Sequence, residues 1–128
     1  MGDKAVLILV TAGARDDAER LGEALVVERL AACCSVVPTI SSFYYWDDHL
    51  QRAHEALLLV KTVESRAAEV QEYVRAHHSS ELPEILQLPI EGGSSLPELA
   101  GEASNPTAPV AVNQALRLRG KEGWGRPL

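Results

Sequence analysis

The spacing of apolar positions changes several times along this chain, and each change marks an element. Residues 5–11 read AVLILVT, a continuous apolar run of strand length. Such a run is covered on both faces, which places it centrally in a sheet. Gly13 breaks it, and Asp16 and Asp17 follow where acidic side chains meet the positive end of a helix. Ala14, Ala18, Leu21 and Leu25 recur at helical spacing and predict one buried face. That helix is expected to end near Leu30 to Ala32. Arg15, Glu19, Arg20 and Glu23 fall off the face and are expected in solvent.

The period then shortens to that of strands. Cys33 to Ile40 predicts a second strand, with Pro38 at a bulge or an edge. Four consecutive aromatics, Phe43 to Trp46, precede the polar stretch Asp47 to His54 and the apolar run Ala56 to Val60. This arrangement predicts a β-hairpin whose returning strand covers roughly Leu50 to Lys61. Alternation puts Phe43 and Tyr45 on one face, Tyr44 and Trp46 on the other. So long an arm, aromatic on both faces, exceeds what a small domain can cover and calls for another surface, often a second copy.

Val63, Ala67, Val70, Val74 and His77 predict a second helix, with Thr62 or Ser65 as its cap and His77 and His78 at its end. Glu84 to Leu88, between Pro83 and Pro89, suits a short edge strand. A turn is expected at 92–95 and a short helical piece at 96–103. Residues 104–128 read as a flexible tail with a short basic helix around Val110 to Arg119. The domain is thus 1–103 and the tail 104–128. The order βαββαβ, with right-handed crossovers, gives both helices one face of an antiparallel sheet. This is an α+β, ferredoxin-like sandwich with a long hairpin arm, a fold that by itself says little about activity.

Composition narrows the function classes. A chain of 128 residues with 46 % hydrophobic content can bury a core as one domain. Residues 1–103 carry 8 Lys and Arg against 17 Asp and Glu, and residues 104–128 carry 4 against 1. An acidic domain argues against nucleic acid as a partner. The first apolar run is too short to span a membrane and lacks a basic leader and a cleavage pattern, so no membrane partner is expected. Two cysteines do not make a disulfide framework and fit a reducing, cytoplasmic setting.

Candidate chemistry is sparse. Cys33 and Cys34 are strand neighbours on opposite faces, so one joins the core while the other lines a surface. Soft metal ligand and small apolar filler are both open readings. The histidines, His49, His54, His77 and His78, form no HxH or HxxxH pair. His78, Glu81 and Glu84 bring an imidazole and carboxylates to a helix end, as an acid/base or hard-ligand set, or as a capped loop. Phosphate-loop, nucleophile-elbow and zinc-protease signatures are absent, and no catalytic residue is expected.

Several separated segments stand out in order: Val10-Thr11-Ala12, the ERLAAC segment Glu28 to Cys33, Tyr44 with Trp46, Glu55 with the strand Leu57 to Thr62, His78 with Glu81, Pro83, Glu84 and Ile85, then Leu88-Pro89-Ile90 and Gly93. Together they resemble the CutA family of divalent-cation tolerance proteins. The resemblance implies a trimer like that of the PII signal proteins, in which hairpin arms wrap neighbouring subunits. It also implies non-catalytic binding of Cu(II) or another divalent metal, with no organic cofactor. Carried over, Cys33, His78 and Glu81 are the expected metal ligands; Tyr44, Trp46, Glu55 and Lys61 are expected in the clefts between subunits. The family's Pro-Tyr after the histidine is Ser79-Ser80 here, its Gly-Lys at the hairpin tip is Asp48-His49, and its aromatic pair after Gly93 is missing. A structural trimer, or a small-molecule sensor using Lys61 for an anion, are the alternative readings.

Overall fold

The computed structural model describes residues 3–80 and 83–94. The element order is β1 (Ala5–Ala12), α1 (Arg15–Val27), β2 (Cys33–Trp46), β3 (His49–Val63), α2 (Glu64–His77) and β4 (Ile85–Pro89). The strands form one sheet in the order β2-β3-β1-β4, and every neighbouring pair is antiparallel. The ferredoxin-like expectation is met: β1 is central, β4 is an edge, and both helices lie over one face. The expected short helix at 96–103, the tail and the boundary at 103 lie outside the described residues.

Alternation along β1 and β3 builds the core. Val6, Ile8, Val10 and Ala12 meet Ala56, Leu58 and Val60 on the face that receives Ala18, Leu21 and Leu25 of α1 and Ala67, Val70 and Val74 of α2. Ile8, Leu25 and Leu58 are fully buried, each contributing roughly 1.5–3 kcal/mol relative to exposure. Gly22 of α1 stands where the helix comes closest to the sheet. A Cβ there would lie 3.0 Å from Leu58 Cδ1 and 3.2 Å from Cys34 Cβ.

Element ends depart from the sequence pattern for local reasons. Ala14 is the exposed N-cap of α1, not part of its buried face. The helix stops at Val27, earlier than expected, because Arg29 turns left-handed at φ 60. Its N–H donates to Val26 O and that of Leu30 to Leu25 O, the paired bonds that close a helix when the residue past its cap is left-handed. α2 is capped from a distance: Asp3 Oδ1 accepts the Ser65 N–H at 3.1 Å and Asp3 Oδ2 accepts the Ser65 hydroxyl. The expected local cap is thereby replaced, and the Thr62 hydroxyl instead donates to Leu30 O at 2.6 Å. His77 is exposed, off the buried face of α2; its ring stacks on Tyr73 with centroids 4.1 Å apart.

The long hairpin arm is present, and it turns on two residues of the polar stretch Asp47 to His54. β2 continues past Ile40 to Trp46 and pairs with β3 as far as Trp46 with His49. A register shift between Val37 and Ile40 accommodates Pro38 on this edge strand. Asp47 and Asp48, at φ 53 and 61, make the two-residue turn, the left-handed pair that matches strand twist. No helix among the described residues is long and apolar enough to cross a membrane.

Candidate functional site on the open sheet face

The helices cover one face of the sheet and leave the other open. Register lays the open face out in rows. One row is Cys33, Lys61, Leu7 and Leu88; the next is Ser35, Leu59, Leu9 and Leu86; the third is Val37, Leu57 and Thr11. Leu86 and Leu88 on the edge strand are 51 % and 42 % exposed. The face is therefore mainly leucine and valine, with Cys33, Ser35 and Lys61 at one corner, Thr11 in the third row and Glu55 beyond it towards the arm.

Cys33 is exposed at that corner, and its neighbour Cys34 turns inward against the core. Burial pushes the Cys34 thiol up from 9.0 to about 12, the adjacent Cys33 adds to this, and Lys61 opposes it. Cys34 thus stays a protonated apolar filler at neutral pH, which leaves Cys33 as the available soft donor. Lys61 Nζ donates to Ser35 Oγ at 3.1 Å and lies 3.9 Å from Cys33 Sγ. Ser35 was not singled out from the sequence, although strand alternation places it on the face of Cys33.

His78 is elsewhere. It is the C-cap of α2, and with Asp17, Arg20, Leu21, Tyr73 and His77 it lines a groove of ≈ 460 Å³ between the helices. Its Nε2 donates to Thr11 O at 2.7 Å, and its Nδ1 accepts the Ser80 N–H at 2.9 Å. Both ring nitrogens are spent on backbone. Thr11 lies four residues along β1 from the Leu7 row that holds Cys33, about 13 Å at the rise of a strand, and the helix groove is on the other side of the sheet. The fold therefore separates Cys33 from His78 within one subunit, and Glu81 lies outside the described residues. No group of three His, Cys, Asp or Glu that could hold a metal occurs among the described residues.

The expected cleft residues distribute along the arm and the face. Tyr44 pairs with Gln51 and Trp46 with His49 near the tip, 48 % and 71 % exposed. Glu55 stands opposite Ile40 just past the bulge, half-buried.

This arrangement can be set beside known proteins. Residues 6–96 match the profile of the CutA1 divalent ion tolerance protein family. The chain belongs to that family. It is 40 % identical over 88 residues to the divalent-cation tolerance protein CutA of Thermus thermophilus, a match covering 69 % of this chain and 85 % of that protein. It is 38 % identical over 90 residues to the chloroplastic CutA 1 protein of rice, covering 70 % of this chain and 51 % of that one. The chain thus spans about half the length of this plant relative. Among solved structures, rice CutA1 superposes with a TM-score of 0.74 at 34 % identity, covering 84 % of this chain and 98 % of that one. The periplasmic divalent cation tolerance protein CutA of Archaeoglobus fulgidus gives 0.73 at 33 %, covering 79 % and 99 %. The family match spans the sheet, both helices and the open-face corner of Cys33 and Lys61.

Proposed function

We propose that this CutA-family chain is a non-catalytic homotrimer that binds a divalent metal, copper first, and so contributes to metal tolerance. The observation that carries the reading is the exposed Cys33 thiol at the rim of an apolar sheet face. Thiolate is a soft donor that suits copper. A bare face bearing Leu86 and Leu88 is the kind of surface a protein covers with another subunit. Within one subunit the described residues bring no three donors together, so on this reading neighbouring copies complete the ligand set. His78 would join it through Nδ1 only by releasing the Ser80 N–H. The reading places the protein in the cytoplasm, where Cys33 stays reduced, with copies of itself as partners and neither nucleic acid nor membrane.

The test is a calorimetric titration of Cu(II) into reduced, tag-free protein with a weak competing chelator present. Expected is a saturable event at one copper per subunit or per trimer, weakened in Cys33→Ser. Weak, unsaturable heats in the wild type would overturn metal binding. A second reading, a structural trimer without a metal role, draws on the bare aromatic arm: Tyr45 and Trp46 are 75 % and 71 % exposed. A stable trimer lacking the copper event would favour it.

A further inference from the structure

We infer that Lys61 and Glu55 are partners across the subunit contact, the ammonium of one copy meeting the carboxylate of the next. The inference rests on the proposed assembly and adds what sets its register. Strand alternation places both residues on the open face, six positions apart on β3, roughly 20 Å at 3.3 Å per residue. They cannot reach each other within one subunit. Among the described strand positions on this face, Lys61 is the sole Lys or Arg and Glu55 the sole Asp or Glu. Both are half-buried already in the single chain. Among the described residues the Lys61 ammonium donates to the Ser35 hydroxyl and lies against the Cys33 sulfur, and the described ion pairs, Arg15–Glu19, Arg20–Asp17 and Arg66–Glu69, involve neither Lys61 nor Glu55.

Covering this face with another protein surface removes water from both charges. An ion buried without a partner is strongly unfavourable and would cancel much of the gain from burying the leucines. A copy of the same face supplies the remedy, because it carries one charge of each sign at opposite ends of a single strand. In a head-to-tail ring each contact joins two different patches, so every Lys61 finds a Glu55 and no charge is left over. The pair also penalises wrong registers: a shift along the strands would leave both groups against leucine. An unrelated acidic partner would satisfy Lys61 but strand Glu55, and a small anion would do the same.

The test is a charge swap read by light scattering coupled to size-exclusion chromatography, with far-UV circular dichroism as the fold control. Lys61→Glu and Glu55→Lys singly are expected to raise the subunit dissociation constant about a hundredfold or more. The double swap is expected to restore assembly to within about tenfold of wild type. Should a single reversal misfold, Lys61→Met and Glu55→Gln, alone and together, supply the same cycle: each alone weakens assembly, and together they weaken it by less than the sum. A wild-type trimer whose assembly shows no coupling in either cycle would overturn the pair and leave the trimer standing. A monomeric wild type would overturn both. Stabilisation of wild-type protein by inorganic phosphate that vanishes in Lys61→Met but persists in Glu55→Gln would assign Lys61 to a free anion and also sink the pair.

Discussion

The imidazole of His78 bridges two backbone segments: Nε2 donates to Thr11 O at 2.7 Å while Nδ1 accepts the Ser80 N–H at 2.9 Å. This requires the neutral ring with its proton on Nε2. It ties the end of α2 to the end of β1, where the Thr11 N–H also donates to Glu84 O at 3.3 Å. His78→Ala is therefore expected to cost about 1–3 kcal/mol, because the half-buried Thr11 carbonyl loses a donor. His78→Gln, whose amide can place a donor near the same point, should recover part of it. Urea denaturation in the absence of metal checks this, and an alanine variant as stable as wild type would refute the clasp.

Asp3 caps α2 from 62 residues away in sequence, and Lys4 O accepts the Glu64 N–H at 2.8 Å beside it. The carboxylate satisfies a backbone donor of the first turn and faces the positive helix end. Asp3→Ala should cost about 1 kcal/mol, lowering the thermal midpoint by about 3–5 °C. Asp3→Asn should lose less, since its amide oxygen still accepts the Ser65 N–H. Differential scanning calorimetry of the three proteins separates these outcomes.

Gly22 sits in mid-helix, where alanine would ordinarily gain about 1 kcal/mol from propensity. Here the added Cβ would meet Leu58 Cδ1 at 3.0 Å and Cys34 Cβ at 3.2 Å. Leu58 is fully buried and Cys34 Cβ is fixed to a paired strand, so neither can yield freely. Overpacking costs typically 1–3 kcal/mol. Gly22→Ala should therefore be net destabilising, by about 1 kcal/mol, in equilibrium unfolding, and a stabilised variant would show that α1 can move off the sheet.

The strands and both helices were legible because apolar spacing is a local property. Val70 announces its burial by helical period, and Ile8 and Leu58 theirs by lying in continuous apolar runs. The distant Asp3 cap was not legible, because nothing in the sequence says which segment passes over the start of α2. Nor was the early end of α1, since Arg29 at φ 60 occupies a conformation usually left to glycine. The metal-ligand set was carried by motif resemblance, and the fold separates two of its members. Cys33 lies on the open face and His78 beside the helix groove, a division that depends on strand order and not on sequence spacing. That one of the two cysteines is exposed and the other turned inward did follow from alternation, but which is which comes from the sheet's packing against α1.

That division between adjacent cysteines has a consequence for pH. The Cys34 thiol is pushed up to about 12 from 9.0, first by burial, then by Cys33, against the pull of Lys61. Above pH 9 the unfolded chain loses this proton while the folded chain keeps it, so the unfolded state binds fewer protons and stability falls as pH rises. The contribution is complete below pH 9 and is lost progressively towards pH 12, on the order of 4 kcal/mol over the window. Lysines and tyrosines titrate there too, so the comparison is between wild type and Cys34→Val, which keeps the apolar filler and removes the proton. Wild type should lose stability more steeply between pH 8.5 and 10.5, at roughly 1 kcal/mol per pH step. In the same range iodoacetamide should label Cys33 in the native protein ahead of Cys34, which it reaches only on unfolding. Parallel stability curves for the two proteins, or equal labelling of both thiols, would show that Cys34 is open to solvent.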